Sequence, residues 1–116
     1  MEFNNNIPIY LQIIEIIKQD IVVGRLKAGQ KMPSVRELAG ILKVNPNTMQ
    51  RVYQELERER ITFTKRGMGT YVTEEEKTIR LLKEETSKKI ILDFLEGMNK
   101  LVFSNKELIN ALKEYL

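Results

Sequence analysis

From Tyr10 onward the apolar residues Tyr10, Ile13, Ile14, Ile17 and Ile21 recur at intervals of three and four, the spacing that places side chains on one face of an α-helix. Pro8 suits the first turn of such a helix and Gly24 its end. Leu11, Ile16 and Val22 widen the apolar stripe, so this helix should touch more than one neighbour. Two explanations of the surplus stand side by side: contact with a second subunit, or a central place in the core of a monomer.

Gly24 to Pro33 holds two glycines, a proline and three basic residues, which predicts a loop. Ser34-Val35-Arg36-Glu37 then has the S-x-x-E form, in which Ser accepts a backbone bond and Glu returns one, so a helix should run from about Val35 to Leu42. It would bury Val35, Leu38, Ala39 and Leu42. Asn45-Pro46, a capping residue followed by a first-turn proline, opens the next helix, which reaches about Arg58 with Met49, Val52, Tyr53 and Leu56 along one face. Only a tight turn fits between Leu42 and Pro46, and two short helices so joined form a helix-turn-helix.

Alternating apolar and polar side chains in Ile61-Thr62-Phe63-Thr64-Lys65 and in Thr70-Tyr71-Val72-Thr73 predict two strands, and Arg66-Gly67-Met68-Gly69 between them predicts a hairpin tip. Beyond Glu74 the composition shifts to Glu, Lys and Leu. Ile79, Leu82, Thr86, Ile90, Phe94, Met98 and Leu101 follow helical spacing and predict one long amphipathic helix, with Gly97 as the place for a bend. Ser104-Asn105-Lys106-Glu107 repeats the capping pattern and starts a last helix carrying Leu108, Ile109, Leu112 and Leu116. The fold class is therefore mainly α with a small β-hairpin: a winged helix-turn-helix domain over residues 1–73, then a two-helix element over 74–116. Those last residues are too few to fold alone or to enclose a conventional effector pocket.

Charge adds a direction to this pattern. The chain of 116 residues has 19 Lys and Arg against 16 Asp and Glu. Residues 1–73 hold 11 basic and 7 acidic side chains, and 74–116 hold 8 and 9, so the positive excess belongs wholly to the first part. No carboxylate occurs between Glu37 and Glu55. A surface that approaches phosphates avoids Asp and Glu because like charges repel in the contact. Acids resume at Glu55, Glu57 and Glu59, on the helix end expected to point away from a duplex.

The outer face of the helix from Pro46 presents Asn47, Thr48, Gln50, Arg51 and Gln54. Asn or Gln can pair two atoms of adenine and Arg two atoms of guanine, so Asn47, Gln50 and Arg51 are candidate base readers, and Thr48 can meet a phosphate or a thymine methyl. Arg36 is a candidate phosphate or groove-edge contact. Lys65 and Arg66 flank Gly67 at the hairpin, where a glycine lets the backbone approach a groove closely. A polar, solvated helix face is the plainer account of the same residues, and pairing with Glu37 or Glu55 is the lesser alternative for Arg36.

Catalysis finds no foothold. With no His and no Cys, the commonest general base, metal ligands and thiol nucleophile are missing. The acidic groups Glu74-Glu75-Glu76 and Glu84-Glu85 alternate with lysines as a solvated helix does, which argues against a metal or acid/base cluster. No metal and no cofactor is expected. No apolar run reaches the roughly 18 to 20 residues of a membrane span, and the basic-then-apolar start of a secreted chain is lacking, so membrane insertion is not expected and a cytoplasmic place is.

These residues resemble a known family. Gly24-Arg25-Leu26-Lys27-Ala28-Gly29-Gln30-Lys31-Met32-Pro33-Ser34-Val35-Arg36-Glu37-Leu38-Ala39 is similar to the N-terminal signature of GntR-type transcription regulators. Val44-Asn45-Pro46-Asn47-Thr48 and Arg51-Val52-Tyr53 continue it, and Arg66-Gly67-Met68-Gly69-Thr70-Tyr71-Val72 resembles the family's wing. The short tail and the Val-Asn-Pro-Asn-Thr form resemble the YtrA-like subfamily, whose members lack a large ligand domain. The resemblance implies a homodimeric repressor on double-stranded operator DNA. It implies DNA contacts from Ser34 and Arg36, from Asn45, Pro46, Asn47, Thr48, Gln50 and Arg51, and from Lys65, Arg66 and Gly67 at the wing. It also implies that the tail makes the dimer, through Ile79, Leu82, Ile90, Phe94, Met98, Leu101, Leu108 and Leu112. Two positions depart from the pattern. Arg60 stands where the family usually has Gly, so it must adopt a left-handed backbone or a different turn. Met68 replaces a residue that is often basic, which weakens a wing contact to phosphate. The shortness of the tail leaves room for a small-molecule effector between the tail helices and the winged domain, where it would shift the dimer geometry. The rival from another class is a protein-interaction module that uses hairpin and tail to hold partner proteins.

Overall fold

The structure, a computed structural model, describes residues 2–116. Its elements are α1 (Ile9–Val22), α2 (Val35–Leu42), α3 (Pro46–Arg58), β1 (Thr62–Lys65), β2 (Gly69–Val72), α4 (Glu76–Lys100) and α5 (Asn105–Lys113). The starts of α2, α3 and α5 fall where their capping residues predict. Ser34 Oγ accepts the Glu37 N–H at 3.1 Å while the Glu37 carboxylate accepts the Ser34 N–H at 3.1 Å. Ser104 and Glu107 repeat that exchange at 3.2 Å in both directions.

The chain forms two compact units, Met1–Lys83 and Glu84–Leu116. In the first, Ile13, Ile14, Ile17 and Ile21 of α1 share one core with Met49, Val52, Tyr53 and Leu56 of α3, and with Met32, Ala39, Ile61 and Val72. Each fully buried Ile or Leu contributes on the order of 1.5–3 kcal/mol, so the α1 and α3 stripes supply most of this unit's stability. The monomer core thus takes most of α1's apolar surface, and Leu11 stays 41% exposed. Ile79 and Leu82 correct one expectation. Assigned by resemblance to a dimer seam, they belong to this first core, Leu82 at 4% exposure and Ile79 packed against it. Helical spacing shows that a residue lies on an apolar face but not which neighbour covers that face. The two compact units meet within α4, between Lys83 and Glu84.

The strands pair antiparallel, Thr62 with Val72 through Lys65 with Gly69. A third rung was invisible in the sequence. The segment before α2, predicted as plain loop, pairs with β2: Met32 N–H donates to Thr70 O at 2.8 Å, Val72 N–H to Gln30 O at 2.9 Å, and Lys31 bridges Tyr71. This fastens the wing to the entrance of α2.

In the second unit α4 continues to Lys100 without ending at Gly97, and α5 follows after a turn in which Val102 takes φ +60°. Leu108 is buried there, whereas Ile90, Phe94, Leu101 and Leu112 are between 37% and 66% exposed.

Arg60 resolves its departure from the family pattern by taking the left-handed conformation, φ +61°. Its N–H donates to Glu57 O at 2.9 Å and the Ile61 N–H to Leu56 O at 3.0 Å, the paired bonds that close a helix around a left-handed residue. A non-glycine residue there costs roughly 1–2 kcal/mol, partly offset because glycine loses more chain entropy on folding. Arg60→Gly is therefore expected to stabilise the protein by about 0.5–1 kcal/mol in a urea titration. Lower stability of the variant would mean that the Arg60 side chain contributes more than its backbone costs.

Candidate nucleic-acid interface

Two local devices join α2 to α3 by a short turn. Lys43 takes φ +56° at the end of α2, and Val44 N–H donates back to Ala39 O at 3.0 Å, so α2 stops within one residue and the chain can turn. Asn45 then caps α3, its Oδ1 accepting the Asn47 N–H at 2.7 Å, and Pro46 occupies the first helical position, where no N–H is needed. Asn45 and Pro46, both expected DNA contacts, thus have a structural role as well, since they begin the helix that carries Asn47, Gln50 and Arg51.

Tyr53 fixes α3 against the entrance of α2. Its ring lies in the core, and its hydroxyl donates to Pro33 O at 2.5 Å, directly before the Ser34 cap. Burial, helped by the nearby Glu37 charge, pushes the Tyr53 hydroxyl up to about 12. Ser34 and Arg36 both lie exposed at the start of α2. Glu37 is the one acid in that turn, and the Ser34 backbone and hydroxyl bonds hold its carboxyl below the usual range, with Lys31 adding a smaller pull. Its charge is therefore directed into the cap.

On α3 the buried side is Met49, Val52, Tyr53 and Leu56, and Asn47, Gln50, Arg51 and Gln54 are exposed while Thr48 is half-buried. Asn47, Gln50 and Gln54 stand on the outer face as expected. Arg51 does not simply extend into solvent. Its guanidinium lies 3.7 Å from the centroid of the Tyr10 ring and donates to the Tyr10 hydroxyl at 3.0 Å. The acids at the other end of α3 are occupied: Glu55 with Arg58 at 2.6 Å, Glu59 with Lys18 at 3.2 Å, and Glu57 as acceptor of the Thr64 N–H at 3.2 Å. The Arg58 hydrogen bonds hold the Glu55 carboxyl below its usual range.

The wing joins this surface. A cleft of about 290 Å³ is lined by Lys31, Pro33, Ser34 and Glu37 on one side and by Met68, Gly69 and Thr70 on the other. Gly67 takes φ +77° and Gly69 φ +117°, and a Cβ on Gly69 would stand 3.0 Å from Lys31 Cε, so the wing turns sharply and approaches Lys31 closely. Lys65 lies 4.7 Å from the Tyr71 centroid, over a wing face where Tyr71 and Phe63 stack at 5.8 Å. Lys65, Arg66 and Gly67 are all exposed, while Met68, 58% exposed, puts a methionine at the tip. Lys31 is the cation that sequence reasoning missed. Only its bridge to Tyr71 brings it to the wing, and that long-range pairing has no local signature.

The arrangement is a helix whose outer face is free of acids from Asn47 to Gln54, a second helix presenting Arg36 beside it, and a basic hairpin fastened to the same entrance. A helix of this size fits the major groove of DNA, and a hairpin beside it can reach the neighbouring groove or backbone.

The sequence profile described as "Bacterial regulatory proteins, gntR family" matches residues 9–72. The HTH-type transcriptional regulator YhcF of Bacillus subtilis is 39% identical over 114 residues, which is 98% of this chain and 94% of that protein. The HTH-type transcriptional repressor YtrA of the same organism is 48% identical over 92 residues, 74% of this chain and 70% of that one. A solved GntR family transcriptional regulator from Listeria monocytogenes superposes with a TM-score of 0.89 at 42% identity, covering 97% of this chain and 98% of that chain.

Tyr53→Phe keeps the ring and removes the bond to Pro33, and is expected to cost about 1 kcal/mol of stability. Because the folded value near 12 lies above the ordinary 10, the Tyr53 contribution is complete below pH 10 and fades as pH rises toward 12. The phenylalanine variant should accordingly lose less stability than the parent over that interval. Parallel losses in the two proteins, followed by denaturant titration at each pH, would show that the hydroxyl is not held by the fold.

Proposed function

The chain belongs to the gntR family of bacterial regulatory proteins, as a DNA-binding winged helix-turn-helix regulator of the YtrA-like subfamily, and we propose that it acts as a homodimeric repressor on a palindromic operator in the cytoplasm. The observation that carries the DNA reading is the outer face of α3, where Asn47, Gln50 and Gln54 stand exposed without a carboxylate from residue 38 to 54. Arg36 supplies positive charge beside it, and Lys31, Lys65 and Arg66 supply it at the wing. Such cations release counterions from the duplex, which gives affinity, while Asn47 and Gln50 have the paired donors and acceptors that read base edges.

Dimerisation is supported by the second unit. Ile90, Phe94, Leu101 and Leu112 leave apolar surface in water, an arrangement that a matching copy would relieve. Met98 is half-buried on the same stretch, and Leu108 lies inside the unit. Two-fold pairing of this kind sets two recognition helices on two half-sites, so the operator mirrors the protein. The name of the Bacillus subtilis relative YtrA supports repression as the direction of control.

Two measurements test the reading. Arg36→Ala is expected to weaken binding to a fragment from upstream of the protein's own gene by about 1–3 kcal/mol in a mobility-shift titration, with affinity falling steeply as salt is added. Equal binding by parent and variant, or a flat salt profile, would remove the groove assignment. In sedimentation equilibrium the chain should run as a dimer, and Phe94→Asp should shift it toward monomer. A monomeric parent would separate DNA binding from the paired half-site geometry.

A further inference from the structure

We propose that Tyr10 positions Arg51 so that its guanidinium meets a DNA phosphate at the α1 edge of the recognition helix instead of reading a base. The inference rests on the DNA-binding reading and gives one of its residues a different role. Arg51 has the chemistry of a guanine reader, yet its guanidinium is drawn sideways onto α1, 3.7 Å from the Tyr10 centroid and hydrogen-bonded to the Tyr10 hydroxyl at 3.0 Å.

Three features make that placement suited to an anion. The aromatic face beneath the guanidinium is attracted to its charge and covers one face of the plane, while a single donor goes to the hydroxyl, so the remaining N–H groups keep a free edge. The acid nearest along α3, Glu55, accepts two bonds from Arg58 on its Oε2, at 2.6 and 3.1 Å, so Arg58 is its main partner and the Arg51 charge adds only a smaller pull. Finally, Tyr10 lies in the first turn of α1, which has no acidic residue and whose N-cap, Pro8, makes no side-chain cap bond. The positive end of the helix that carries Tyr10 therefore has no carboxylate in its first turn. A guanidinium edge and an uncapped helix start on one side of α3 match a phosphate flanking the groove, and the ring orders the arginine before DNA arrives, so less freedom is lost on binding.

The test uses the full chain and a duplex that the wild-type protein enriches from a randomised pool, titrated at several salt concentrations. Arg51→Ala should flatten the slope of log affinity against log salt by about 0.9, the signature of one phosphate contact, and leave the preferred bases unchanged. Tyr10→Leu, chosen because it retains apolar volume next to the core, should reproduce most of that loss. Tyr10→Phe, which keeps the ring, should restore the slope, and the Tyr10→Leu/Arg51→Ala double variant should bind no worse than Arg51→Ala alone. Relaxed preference at a single base pair with an unchanged slope in Arg51→Ala would overturn the inference, and this outcome does not depend on how well any Tyr10 variant folds. So would wild-type binding by Tyr10→Leu, or losses that simply add. If the wild-type chain enriches no duplex, the DNA-binding reading itself falls and this inference with it, whereas enrichment followed by any of the other outcomes removes this inference alone.

Discussion

Met49, Val52 and Leu56 have no exposure to solvent, and their burial in the core shared with Ile13, Ile14 and Ile17 determines what α3 can show on its other side. A helix turns by about 100° per residue, so fixing three positions on one face fixes every other position on the cylinder. Asn47, Gln50 and Gln54 are directed outward because Met49, Val52 and Leu56 are directed in. The same packing brings α1 to the flank of α3, which is why Tyr10 comes within reach of Arg51. The stability of the first unit and the orientation of its polar surface therefore have a common cause. A core substitution such as Leu56→Ala would disturb both at once.

The angle between α2 and α3 depends on a second constraint, the abrupt ends of the helices. Lys43, Arg60 and Val102 each take a left-handed backbone at the end of a helix, although none is glycine. Each permits a turn of few residues at some conformational cost, most severe for Val102, whose branched Cβ crowds the backbone. At Lys43 the return is the tight turn between the two helices of the motif. At Arg60 it is the immediate entry into β1, with Ile61 buried against the end of α3. Residues that would be preferred by local chemistry have given way here to side chains with other properties, and for Arg60 and Lys43 these are cationic.

Helix starts were legible in the sequence because they are chemical. Ser34, Asn45 and Ser104 each satisfy backbone donors within three residues of themselves, so a local pattern contains the whole interaction. The amphipathic stripe of α3 was legible for a similar reason, since every outward residue is defined by its distance from an inward one. What stayed hidden lies in pairs far apart along the chain. The Tyr53 hydroxyl meets a carbonyl 20 residues away and Arg51 meets Tyr10 across 41, and nothing in either neighbourhood announces a partner. Lys31 beside the wing and Leu82 in the first core belong to the same class. For the candidate site this means that residue types were readable and their assignments were not: Arg51 was readable as a cation on the right helix, but its lean toward α1 was not.

Charge placement ties these points together. Net charge alone would predict a feeble attraction for DNA, since 19 cations face 16 acids. In the fold, Glu37 is turned into a helix cap, Glu55 and Glu59 are paired with Arg58 and Lys18, and Glu57 accepts a backbone bond from the wing. Arg36, Lys65 and Arg66, by contrast, have no ion-pair partner among the described residues. Exposed pairs such as Glu55 with Arg58 add little to stability, on the order of 0–1 kcal/mol, so their value is chiefly in what they do to the surface potential. They neutralise acids at the C-terminal end of α3 and leave uncompensated cations at the start of α2 and on the wing. Field strength at a phosphate falls with distance and with screening beyond about 8–10 Å, so such local separation of charge outweighs the total. A protein of modest net charge can in this way present a strongly positive face where the recognition helix lies.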